Sequence, residues 1–130
     1  MNLADIRTGL KARLENIANL TVLDKAQESI NEPGAVAIIV LSEVSYGASI
    51  AGGGMYRFTV QLIVAQGDWR EAQEALDEYI EHSSDKSILA AVEGDYTWGT
   101  AHVVRASNYG LKESWDRMGV DFEIECIVWS

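Results

Sequence analysis

The stretch 120–129 constrains this chain more than any other. Val120, Phe122, Ile124, Cys126 and Val128 alternate there with Asp121, Glu123, Glu125 and Ile127. A period of two places five apolar side chains on one side of a strand and three carboxylates on the other. Residues 56–64 repeat the pattern: Tyr56, Phe58, Val60, Leu62 and Val64 face one way, while Arg57, Thr59 and Gln61 face the other. Two such strands call for a sheet with one dry face and one wet face. Something apolar must then cover the dry face.

The cover is legible as helices. Leu3, Ile6, Leu10, Leu14 and Ile17 recur at spacings of three and four, with Arg7, Lys11, Arg13 and Glu15 between them. Asn2 suits the N-cap of that helix and Asp5 its first turn. A second helix is predicted from Asp68, where Asp68 and Glu71 have capping-box spacing. Its apolar stripe reads Trp69, Ala72, Leu76, Tyr79 and Ile80. Ser84 suits the cap of a short third helix over 85–92, with Ile88, Leu89 and Val92 inward.

The remaining segments read as strands and turns. Residues 21–24 suit a short strand, and Asn31-Glu32-Pro33-Gly34 a turn. The continuous apolar run 35–41 suits a strand buried on both faces, extended in a half-exposed pattern through 42–46. GASIAGGG at 47–54 separates it from the strand 56–64, so the pair predicts a long hairpin with a glycine-rich tip. A loop is expected over 94–100, a strand over 101–109 and a polar connection over 110–119. The order predicts an α+β fold of one domain, 1–130: a mainly antiparallel or mixed sheet, an N-terminal helix and a central helix pair packed on one face, and a long glycine-tipped β-hairpin.

Composition narrows the function. The 130 residues hold one cysteine, Cys126, so an internal disulfide framework and a Cys-based zinc site are excluded. A chain of this mass buries about two thirds of the surface its unfolded form exposes, enough for a core without staples. Twenty acids against ten bases give a net charge of −10, which argues against a general nucleic-acid binder but not against a protein that DNA merely passes. The apolar run 35–41 is far short of a membrane span. The N-terminus MNLADIRTGL lacks the pattern of a secretory signal, so synthesis in a reducing cytoplasm is the expectation.

Motifs for catalysis do not emerge. The glycine-rich 47–54 lacks the Gly-Lys-Ser/Thr ending of a phosphate loop. Gly47-Ala48-Ser49-Ile50-Ala51 approaches a nucleophile elbow but has Ala51 where the second glycine belongs. Glu74, Glu78 and His82 fall at i, i+4 and i+8 on one helix face, which could hold a metal in principle, yet a solvated face with a histidine near the helix C-terminus accounts for them. Cys126, on the apolar side of its strand, suits a small core residue rather than a thiolate. No catalytic, cofactor-binding or metal-ligating residue is therefore assigned, and no enzyme is expected.

Three features do point outward. Asp121, Glu123 and Glu125 stand about 7 Å apart along one face, where they repel unless they meet water or a basic partner. In a ring they would form an acidic channel wall that keeps phosphates from sticking. The hairpin tip, with Tyr46, Ser49, Ile50, Met55 and Tyr56, is a candidate contact loop. Trp98, in a loop, and Trp115, in the polar connection, are candidate interface aromatics.

The layout resembles the tail terminator proteins of long-tailed, siphovirus-like bacteriophages. The resemblance rests on IRTGLKARLENI, the strand pair around its flexible loop, ALDEYIEHSSDKSILAAVEGD, TWGT, VVRASNYG and GVDFEIECIV, and is strongest over 75–95 and 103–110. It implies a homo-oligomeric ring, usually a hexamer, that caps the tail tube, stops tail polymerisation and presents a head-attachment surface. Its implied partners are its own copies, the tail-tube protein and a head-completion or connector protein. DNA passes through the channel without specific binding; no cofactor and no membrane are involved. The implied location is the tail–neck region of the virion, after synthesis in the host bacterial cytoplasm. Two alternatives stay open: another neck, tail-tube or connector ring subunit, and a small ligand-binding regulatory α+β domain, which would need a concave pocket with converging polar groups.

Overall fold

The computed structural model describes residues 3–24, 34–45, 54–64, 68–112 and 116–128. Along the chain these form α1 (Leu3–Leu14), β1 (Leu20–Leu23), β2 (Ala35–Ser45), β3 (Gly54–Ile63), α2 (Trp69–Ile80), α3 (Ile88–Val92), β4 (Gly94–Asp95), β5 (Gly99–Lys112) and β6 (Arg117–Val128). The strands make one six-stranded sheet in the order β1-β2-β3-β6-β5-β4. Only β1 and β2 run parallel; every other pairing is antiparallel. The fold is thus α+β with a mixed sheet, as the pattern of elements predicts.

The two alternating strands are neighbours at the centre. β3 and β6 pair over ten positions, with Phe58 opposite Ile124 and Val60 opposite Phe122. Their apolar sides face the same way and join Ala37 and Ile39 of β2 in the main core. Ile6, Leu10 and Leu14 of α1, Ala72, Leu76 and Tyr79 of α2, and Ile88 and Val92 of α3 close over that face. All three helices therefore lie on one side. The doubly apolar run of β2 is also explained: Val36 and Ile38 point the other way and form a second small cluster with Ile63.

Local chemistry sets the helix ends. The Asp68 carboxylate accepts the Glu71 N–H at 2.9 Å, so Asp68 caps α2 as its spacing predicts. Helix α3 is shorter than expected. Its cap is Ser87, which accepts the Ala90 N–H, while Ser84 closes a separate turn by accepting the Lys86 N–H. Helix α2 stops at Ile80, with Glu81 extended as its C-cap. Glu74, Glu78 and His82 consequently share no continuous helix face.

Two segments are more regular than their composition suggests. The loop expected over 94–100 contains β4 and the start of β5. Much of the polar connection over 110–119 is strand, because β5 and β6 pair down to Lys112 opposite Arg117. Polar composition misleads there because backbone pairing with β5, and not an apolar pattern, holds the start of β6 in the sheet. The register of β5 against β6 shifts between Val103 and Arg105 and again between Ser107 and Gly110. Such bulges break a period of two and bend the strand.

Arg117 ties three strands at this end. It is 6% exposed; its Nε donates to the Val64 carbonyl at 2.8 Å and its Nη2 to the Gly34 carbonyl. At the opposite end Gly99 (φ +157°) crosses β6 so closely that a Cβ would sit 1.9 Å from the Ile127 carbonyl oxygen.

Candidate interaction surfaces

The sheet face turned away from the helices is built by the polar positions of β3, β5 and β6. Asp121, Glu123 and Glu125 share that face, as their spacing requires. Each carboxylate, however, meets a cation from an adjacent strand. Arg57 lies directly opposite Glu125 and its Nη2 donates to it at 3.0 Å. Arg105 lies opposite Glu123 and is ion-paired with it. Lys112 Nζ donates to Asp121 Oδ1 at 2.9 Å, and Asn108 Nδ2 donates to Oδ2 at 2.9 Å. Three anions thus face three cations. The row is a charge ladder in which mutual repulsion is relieved within the chain, and not a bare acidic strip.

The pairs differ in environment. The Lys112 and Asp121 side chains are only 16% and 13% exposed, whereas that of Arg105 is 61% exposed. The hydrogen bond to Glu125 raises the Arg57 guanidinium further above its usual range, against a smaller opposing effect of burial. Its charge is permanent in any case. A cation on this row was legible in the sequence at Arg57, which alternates outward on β3. The partnership of Arg105 and Lys112 was not, because two bulges reset their phase.

A second surface lies on the helical side. Helix α1 and the turn before β5 border a groove of about 840 Å³, lined by residues that include Asp5, Thr8, Gly9, Ala12, Arg13, Asp95, Tyr96 and Trp98. Arg13 builds its wall. Its guanidinium carbon stands 3.9 Å from the centroid of the Tyr96 ring, its Nη1 donates to the Glu93 carbonyl at 3.2 Å and its Nη2 to the Asp95 carbonyl. The Tyr96 hydroxyl donates to the Val92 carbonyl at 2.7 Å, and its ring stacks on Trp98 with centroids 4.6 Å apart. Burial pushes the Tyr96 hydroxyl up to about 12, with Arg13 opposing in part. Gly9 makes the packing possible, since a Cβ there would lie 2.8 Å from Trp98 Nε1.

Trp98 therefore needs correction. It is no surface aromatic: it is 2% exposed and belongs to the main core. The reason is local. The turn between β4 and β5 folds the indole back onto the glycine of α1. Its Nε1 is buried without a hydrogen-bond partner among the described residues. Trp69 departs in the opposite sense. Its spacing puts it on the inner stripe of α2, yet at the first position of the helix it is 59% exposed.

The other candidate residues divide. Met55 and Tyr56 are half-buried on β3, opposite Ser45 and Val44, and Tyr56 packs against the main core. Tyr46, Ser49, Ile50 and Trp115 lie outside the described residues. His82 is exposed; His102 donates or accepts at Nδ1 with Glu93 Oε2 at 3.0 Å, while Glu93 Oε1 accepts the Val103 N–H. Among the described residues no group of three His, Cys, Asp or Glu is placed to hold a metal. Cys126 is fully buried, and burial pushes its thiol up to about 12, which suits a core residue and not a nucleophile. No helix among the described residues is long and apolar enough to cross a membrane.

Comparison with family models finds none that matches this chain, and comparison with curated proteins finds none that matches it either.

Proposed function

We propose that the protein is a structural subunit of a closed ring, of the tail terminator kind, that caps a phage tail tube, stops its polymerisation and offers a surface for head attachment. One observation supports this reading above others. Three of the segments that carry the resemblance, 75–95, 103–110 and 119–128, are contiguous in space. They form α2, α3, β4, β5 and β6, joined by the β5–β6 and β4–β5 pairings and by α2 and α3 on the same sheet face. A likeness spread over unrelated corners of the molecule would carry less weight.

The charge ladder refines the channel idea. A wall built from Asp121, Glu123 and Glu125 with their three cations offers DNA little net charge. Its carboxylates still oppose direct phosphate contact, and its cations are already occupied. Passage without binding follows from such a surface. The ring partners are further copies of the chain, with a tail-tube protein below and a head-completion or connector protein above, in the virion.

The test is solution mass by light scattering at low and high salt, followed by negative-stain imaging, alone and with purified tail tubes. A single closed ring, or a cap on tube ends, is the expected result. High salt should favour assembly, because copies of net charge −10 repel and salt screens that repulsion. Open tubes of the chain itself would point to a tail-tube subunit instead. A monomer that leaves tube ends uncapped would overturn the ring and direct attention to small-molecule binding at the α1 groove.

A further inference from the structure

The α1 groove and the exposed indole of Trp69 sit at opposite ends of the sheet. The first half of α2 lies at the start of β6: the Tyr109 hydroxyl, next to the Gly110 that pairs with Gly119, donates to the Gln73 carbonyl at 3.5 Å. The turn that walls the groove precedes Gly99, which pairs with Val128 at the end of β6. The ten residue steps from Met118 to Val128 span about 33 Å at ~3.3 Å each. Trp69 is therefore beyond reach of its own groove. A contact between the two features joins different copies and is heterologous, the kind that generates a ring when its rotation closes.

We propose that Trp69 of one copy seats in the α1 groove of the next, with Arg70 beside it paired to Asp95. This contact rests on the ring reading above. The groove supplies the space: Thr8 and Ala12 leave its helical wall shallow, and its volume of about 840 Å³ is ample for an indole. Tyr96, half-buried at the groove and backed by Trp98, gives the incoming ring an aromatic edge to meet. The charges are complementary. Arg70 has no ion pair among the described residues, although its helix carries Glu71, Glu74, Asp77 and Glu78. The Asp95 carboxylate, on the groove rim, likewise has no partner among the described residues. Among the described residues Trp69 is the most exposed of the large apolar side chains, and tryptophan and arginine are among the residue types that most often anchor interfaces.

The experiment measures assembly of the full chain by sedimentation and light scattering, in solution and on tail tubes. Trp69→Ala should weaken copy–copy association at least about 30-fold, the loss typical of a central aromatic anchor. Arg70→Glu and Asp95→Arg should each weaken it about tenfold, and the double variant should recover to within about threefold of the parent. Thermal unfolding of each variant should match the parent, since all three side chains are exposed. Variants that assemble like the parent would overturn this contact and leave the ring reading standing. A parent chain that forms no closed assembly, alone or on tubes, would overturn both. Loss of assembly in Ala12→Arg without loss in Trp69→Ala would mean that the groove holds a different partner, and would also overturn the contact.

Discussion

Gly99 and Cys126 show how much single residues decide here. At Gly99 the backbone of β5 lies so near β6 that a Cβ would fall 1.9 Å from the Ile127 carbonyl oxygen, a backbone atom that cannot swing aside. The positive φ adds strain for any L side chain. Gly99→Ala should lose about 3 kcal/mol or more, read as a lowered denaturant midpoint with an unchanged slope. Cys126 tests the core through pH. Its thiol keeps its proton up to about 12 in the folded chain, whereas in the unfolded chain it titrates near ~8.5. Between those values the unfolded state releases a proton that the folded state retains, so stability must fall as pH rises. Tyr96, also pushed up to about 12, acts in the same direction over a narrower window. Urea unfolding from about pH 8 to about pH 11 should show this decline, and Cys126→Ala should make it shallower.

At the scale of elements the charge ladder is the informative case. Three cross-strand pairs look alike in sequence terms but differ in exposure. The Lys112–Asp121 pair is largely shielded, so Lys112→Ala leaves a largely desolvated carboxylate with only the Asn108 amide beside it and should cost about 1–3 kcal/mol. Arg105 is mostly in water, and Arg105→Ala should cost no more than about 1 kcal/mol. Unfolding curves of the two variants at low and high salt check the order, and equal losses would contradict it. The bulges of β5 belong to the same scale. They and the charged side chains Arg105 and Lys112 make this long strand a poor template for pairing with another sheet. Copies should therefore join through side-chain contacts such as the Trp69 groove, without strand addition along β5.

At the scale of the whole molecule the sheet order governs folding. The central pairing joins β3 to β6 across more than half the length of the chain that separates β1 from the end, and α2, α3, β4 and β5 all intervene in sequence. Closing that loop precedes any reward from the core, so refolding should take milliseconds to seconds, slower than a helical bundle of this size. Stopped-flow tryptophan fluorescence reads it directly, because Trp98 reports the docking of α1 on the β4–β5 turn. A microsecond refolding phase carrying the whole signal would contradict this order of events.

Much of this architecture was written in local patterns. The alternation of residues 56–64 and 120–128, the helical spacing from Leu3 to Leu14 and the Asp68 cap each act over a few residues, so period and capping chemistry specify them without reference to the rest. The acidic row on one face followed from the same period of two. What only the tertiary structure decided depends on partners distant in sequence. Arg105 and Lys112 neutralise that row because bulges re-aim them. Trp98 is buried because Gly9, far away in the chain, leaves it room. Trp69, on the same apolar stripe as the buried Leu76, is exposed because no other element among the described residues covers it. Periodicity tells a side chain which face of its own element it occupies; whether anything stands opposite that face is settled by packing between elements, to which a local pattern is blind.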